Sequence, residues 1–183
     1  WNVTRIGRSG ILSATPSPNG EYLLVRSIKR PFSHLLPHDG FPEDVEVWNR
    51  RGERVRSIAD LPMMDTIPIN GVPSGPRSIR WIPQMPATLF WVEALDKGDL
   101  RNKVPHRDRL VTIAAPFAGE PAEVAKTEYR YGGVSWTEKG SILLTENDRA
   151  SRTTRTWVLN ASWGEPRKMW DRRQQDSYGD PGR

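Results

Sequence analysis

The chain has 183 residues, 36% of them apolar and 27% charged, with a formal net charge of +5 at pH 7. That length and composition suit a folded globular chain with a sizeable core and exclude a disordered one. No apolar run approaches the roughly 18 to 20 residues that cross a bilayer, residues 1–10 carry no signal-peptide pattern, and the absence of Cys excludes disulfides and thiolate metal sites.

Arg outnumbers Lys by 21 to 6. These cations are interleaved with 22 carboxylates along the whole chain, so the pattern points to a solvated mixed-charge surface and away from nucleic-acid or membrane binding. The chain begins at Trp1 without an initiator Met, as a piece cut from a longer protein would. The compartment therefore stays open: cytoplasm, plastid and the periplasmic or secreted space all remain.

In chain order, residues 1–6 alternate apolar and polar and read as one remnant strand. Residues 11–17 lead through Pro18-Asn19-Gly20, a turn signal, into the apolar run Tyr22-Leu23-Leu24-Val25. After a loop rich in Pro and His come strands over 44–49 and 54–58, separated by Gly52-Glu53. Four strands in up-and-down order result. The pattern then repeats: strands are expected over 78–81, 88–93, 109–114 and 122–126, and again over 133–136, 141–145, 153–160 and 167–171. Gly-Glu precedes the fourth strand each time, at 52, 119 and 164. Trp81 and Trp136 occupy matching slots before the first turn of their units, with Ser17 in the corresponding slot of the first. No segment sustains helical spacing of apolar positions.

These repeats predict an all-β chain, a partial β-propeller of about three four-stranded antiparallel blades: residues 11–62, 63–127 and 128–172, with residues 1–10 a remnant of a preceding blade and 173–183 a tail toward the next. An immunoglobulin-like sandwich is the alternative. It needs about seven strands and gives no reason for the repeated Gly-Glu. Three blades do not close a ring of the usual four to eight, so further blades are expected as partners.

Little in the chain carries catalytic chemistry. Gly7-Arg8-Ser9-Gly10 falls short of a nucleophile elbow, because Ile11 stands where the second Gly belongs. His34 and His38 are four apart, but Pro37 disfavours the helix that would align them on a metal; His106 stands alone. Asp96, Asp99 and Asp108 lack the order of a calcium loop and are interrupted by Lys97, Arg101, Lys103 and Arg107. No metal or other cofactor is expected. Asn2-Val3-Thr4 and Asn160-Ala161-Ser162 match a glycosylation triplet too common to inform. Tryptophans on predicted strands (Trp48, Trp81, Trp91, Trp136, Trp157) suit blade-to-blade packing better than stacking on a ligand.

Several landmarks in order carry a resemblance: Pro18-Asn19-Gly20-Glu21-Tyr22-Leu23-Leu24, Lys29-Arg30-Pro31-Phe32-Ser33, Val45-Glu46-Val47-Trp48, Arg77-Ser78-Ile79-Arg80-Trp81, Pro86-Ala87-Thr88-Leu89-Phe90-Trp91-Val92-Glu93, Arg130-Tyr131-Gly132-Gly133-Val134-Ser135-Trp136 and Arg155-Thr156-Trp157-Val158. Together they resemble the glutamyl endopeptidase branch of the prolyl oligopeptidase family, across nearly the whole chain. The resemblance implies an N-terminal β-propeller covering a C-terminal α/β-hydrolase domain that cleaves peptides after Glu. The landmarks match only the propeller, so no catalytic residue is carried over to this chain. The implied partners are the remaining blades, the hydrolase domain and a peptide substrate. The implied role is to gate peptide access and shape the cleft, with an Arg pairing the Glu carboxylate; losing such a desolvated pair costs roughly 2 to 5 kcal/mol. Arg30, Arg107, Arg109, Arg149 and Arg152, assigned to loops between second and third strands, are the first candidates. Arg30 and Arg107 lead, and Arg77 and Arg130, which enter first strands, come next. A stand-alone propeller-type interaction module is the competing class, and it would need its own closure.

Overall fold

The computed structural model describes residues 10–32, 34, 37–65, 67–173 and 175. The strand expected over residues 1–6, Ser9 in its Gly-rich turn and the tail beyond residue 175 lie outside them. The described residues form three four-stranded antiparallel sheets, each in plain sequence order. Sheet 1 contains β1 (Ile11–Pro16), β2 (Tyr22–Ile28), β3 (Glu43–Asn49) and β4 (Arg54–Leu61). Sheet 2 contains β5 (Arg77–Trp81), β6 (Thr88–Ala94), β7 (Asp108–Ala114) and β8 (Ala122–Thr127). Sheet 3 contains β9 (Arg130–Trp136), β10 (Ile142–Asp148), β11 (Thr153–Leu159) and β12 (Arg167–Arg173). All twelve expected strands in 11–171 are present, most of them one to three residues longer than their sequence signals. Among the described residues the one helical turn is the 3-10 segment His38–Gly40 in the β2–β3 loop. This all-β repeat of open, up-and-down four-stranded sheets is the arrangement of consecutive propeller blades.

Alternation along the middle sheet explains how the three pack. In β6, Leu89 and Trp91 face sheet 1 and join Leu24, Val45 and Val47, whereas Phe90 and Val92 face sheet 3 and join Val134, Ile142 and Leu144. β7 divides likewise, Val111 and Ile113 to one side and Leu110 to the other. A strand buried on both faces reads as a continuous apolar run, which is why Leu89-Phe90-Trp91-Val92 shows no polar alternation. Phe90, fully buried, stacks parallel on Trp163 at 5.7 Å between centroids and meets Trp136 edge-on at 5.7 Å.

The recurring tryptophans hold sheets together in two ways. Trp81 reaches from sheet 2 to sheet 1, where its indole N–H donates to the Thr15 carbonyl at 2.9 Å. Trp136 reaches from sheet 3 to sheet 2, where the Arg80 guanidinium lies 4.7 Å from its ring centroid and Arg80 also donates to the Val134 carbonyl. Within each sheet a second Trp donates to a carboxylate that an Arg neutralises. Trp48 and Arg54 share Glu46, Trp91 and Arg109 share Glu93, and Trp157 and Arg155 share Glu146. Each glutamate thereby carries its charge into a half-dry environment with partners in place.

Candidate functional site

The β6–β7 loop is built around two buried acids. Asp96 follows β6 by two residues, and Asp108 opens β7; neither side chain is exposed. Asp96 Oδ1 accepts the Gly98 N–H at 3.0 Å, a side-chain turn that folds the loop back. Gly98 is required there: its φ is +78°, and a Cβ would stand 1.9 Å from the Val72 carbonyl oxygen. The Asn102 amide donates to the Asp96 carbonyl, and the Leu95 N–H donates to the Arg107 carbonyl at the loop's closing end.

Three arginines converge on these two acids. Arg107 Nη1 donates to Asp96 Oδ2 at 2.9 Å, and Arg130 Nη2 donates to the same oxygen. Arg130 Nη1 donates to Asp108 Oδ1 at 2.7 Å, while the Tyr131 N–H donates to Asp108 Oδ2 at 2.6 Å. Arg77 Nη2 also lies 2.7 Å from Asp108 Oδ1, as an ion pair whose N–H is out of hydrogen-bond alignment; among the described residues, both terminal nitrogens of Arg77 are buried without a hydrogen-bond acceptor. Three cations thus share two carboxylates, leaving one positive charge in excess. Burial by itself would raise the Asp96 carboxyl, but hydrogen bonds from Arg130 and Arg107, with the Arg130 charge and the Gly98 N–H, hold it below the ordinary carboxylate value.

Above this cluster opens a cavity of about 860 Å³ between the β6–β7 loop and the β10–β11 turn. Leu100, Val104 and Pro105 form its apolar wall, Tyr129 and Asn147 also line it, and Arg107, Arg130, Arg149 and Arg152 supply its cations. Two acids also line it. Glu128 pairs with Arg155 at 2.7 Å, and Asp148 accepts from the Ser151 hydroxyl at 2.6 Å and the Ser151 N–H at 3.0 Å. Those Ser151 bonds, the hydroxyl first, hold the Asp148 carboxyl below its ordinary value against partial burial.

Of the seven candidate arginines, the structure brings four to this cavity. Arg77 lies beneath it at Asp108 and also borders a smaller, largely apolar pocket of about 240 Å³ with Met63, Met64 and Ile67. Arg109 is inside β7, not in the preceding loop, and forks onto Glu93 Oε2 through Nε at 2.8 Å and Nη2 at 2.5 Å. Arg30 lies outside the cavity, its guanidinium carbon 5.5 Å from the Phe32 ring centroid. Sequence reasoning missed the organising acids: Asp96 and Asp108 stood out only as poor calcium ligands. The signal available was their place, bracketing a polar loop at the ends of the most apolar strands. Among the described residues no group of three or more His, Cys, Asp or Glu could hold a metal ion. Among them, too, no helix is long and apolar enough to cross a membrane.

Fold and site together define the class: a segment of tandem four-stranded antiparallel sheets with an arginine-lined cavity at the ends of its strands. No protein-family model matches the chain. Over 176 residues, 93% of this chain, it is 42% identical to a probable chloroplastic glutamyl endopeptidase of Oryza sativa subsp. japonica and 43% identical to one of Arabidopsis thaliana. It spans 19% and 18% of their respective lengths. Over nearly its whole length the chain is thus similar to a stretch that makes up about a fifth of each of these two probable glutamyl endopeptidases. Among solved structures, Pyrococcus horikoshii acylaminoacyl peptidase aligns with 88% of this chain and 25% of its own at a TM-score of 0.44 and 13% identity, a likeness too distant to argue from.

Proposed function

We propose that this chain is the non-catalytic, propeller-type part of a serine peptidase, which gates peptide access and shapes the substrate cleft of an α/β-hydrolase domain encoded elsewhere in the same protein. Its own blades are residues 11–62, 63–127 and 128–172, and its further partners are the remaining blades of the same propeller. The parent enzyme hydrolyses peptide bonds after Glu, as the names of the two relatives suggest for those proteins. One observation carries the reading for this chain: a cavity of peptide-binding size whose lining cations outnumber its acids, four arginines to Glu128 and Asp148. Such a field favours an acidic peptide and disfavours a basic one.

The test uses the full-length protein and matched peptides bearing Glu or Gln before the scissile bond. Cleavage blocked by a serine-directed inhibitor, with Glu preferred by about 30-fold or more, is the expected result. Absence of cleavage, or equal rates on the two peptides, overturns the reading.

A further inference from the structure

The four arginines of the cavity are not equivalent. Arg107 and Arg130 are spent on buried Asp96 and Asp108, so an incoming anion would compete with carboxylates already held at hydrogen-bond distance. Arg149 and Arg152 have no acidic partner among the described residues, are exposed, and reach the same cavity from the β10–β11 turn. An anion meeting them displaces no protein carboxylate.

That turn is built to present them. Asp148, the last residue of β10, accepts the Ser151 hydroxyl and N–H and, at 3.4 Å, the Ala150 N–H; the Ser151 hydroxyl also lies 2.9 Å from Thr153 Oγ1. Its oxygens are occupied by the turn, which leaves both guanidinium groups without an acidic partner among the described residues. Arg152 adopts φ of +53°, a left-handed conformation that is unfavourable for a non-glycine residue and persists only where the surroundings impose it.

We propose that Arg149 and Arg152 are the specificity-determining cations that take a carboxylate of the peptide, and that Asp148 is the positioning residue that presents them. The assignment rests on the peptide-cleft reading above. Asp148 itself is an anion in the cavity wall, so its two effects have opposite signs: its hydrogen bonds build the site, and its charge opposes the ligand. Asn at this position keeps an acceptor for the turn while removing the charge, whereas Ala removes both.

The experiment measures kcat and KM of the full-length protein on the Glu and Gln peptides for the wild type, Arg149→Gln/Arg152→Gln, Asp148→Asn and Asp148→Ala. The double arginine variant is expected to lower the Glu-over-Gln ratio of kcat/KM at least about tenfold, mainly through KM. Asp148→Asn keeps or raises that ratio, and Asp148→Ala lowers it. Turnover of the Gln peptide by each preparation reports that the variant is folded. A ratio within about twofold of wild type in the double variant, or identical ratios for the two Asp148 variants, overturns the assignment. If the wild type cleaves neither peptide, it is the peptidase reading that fails. The arginines are then tested alone by fluorescence anisotropy with a labelled Glu-rich peptide, and equal affinity for wild type and double variant overturns their role.

Discussion

Sheets 1 and 2 meet along one seam and sheets 2 and 3 along another, and the two are tied differently. At the first, the polar ties end on neutral carbonyls: Trp81 donates to Thr15, and Arg56 Nη1 donates to the carbonyls of Phe117 and Gly119 at 2.7 Å each. At the second, Arg130 of sheet 3 enters sheet 2 and is locked between Asp96 and Asp108, while the Trp136 indole nitrogen is buried without a hydrogen-bond partner among the described residues. The same repeated slot thus supports a neutral seam and an ionic one. Position in the repeat decides that a Trp packs; the neighbouring chain decides whether its N–H is satisfied.

The largest effect that would break this contrast is at Arg130. Replacement by Met strips buried Asp96 and Asp108 of a shared cation and is expected to cost about 3 to 5 kcal/mol, against about 1 kcal/mol for Arg56→Met, whose carbonyl acceptors stay neutral. Urea denaturation of the two variants makes the comparison; equal losses would show that the ionic seam is no more dependent on its partner than the neutral one. Acid is the next probe. Because the folded-state value of Asp96 is lowered from 3.8, its contribution is fully present above that ordinary value and is lost as pH falls through the lower folded value. Stability measured below about pH 4 should therefore decline less steeply in Asp96→Asn than in the parent chain, and parallel curves would refute this origin. Smallest is the pair of Trp→Phe changes. Trp81→Phe forfeits a hydrogen bond and should cost about 1 kcal/mol beyond its lost ring area; Trp136→Phe also removes an unpartnered N–H and should cost less. The reverse order in thermal unfolding would mean that Trp136 Nε1 finds a partner in solution.

The strands were legible because their signals are local. Alternation in Val45-Glu46-Val47, the turn at Pro18-Asn19-Gly20 and the three Gly-Glu pairs each lie within a few residues of the element they define. The seams and the cavity were less legible because their bonds join distant positions: Arg130 is 34 residues from Asp96 and 22 from Asp108. A one-dimensional reading saw three acids interrupted by basic residues and weighed them as metal ligands. Folding instead distributes them, Asp99 to an exposed pair with Arg101 and the other two to the buried arginine cluster. Loop membership brought Arg107, Arg149 and Arg152 into the candidate set, but nothing local distinguished an arginine already neutralised from one left open.

The two-faced run in β6 has a consequence for how this chain finds its alignment. In an ordinary half-buried strand a slip of one residue throws the apolar side into water, so polarity itself rejects the error. Leu89-Phe90-Trp91-Val92 would stay apolar on both sides after such a slip, and water offers no such penalty over that stretch. What distinguishes right from wrong lies at the strand's end, where Glu93 must stand opposite Arg109 of β7 to receive its guanidinium fork. The central strand's alignment is thus proofread by one carboxylate at its edge, and Glu93 guards the fidelity of both seams without belonging to either.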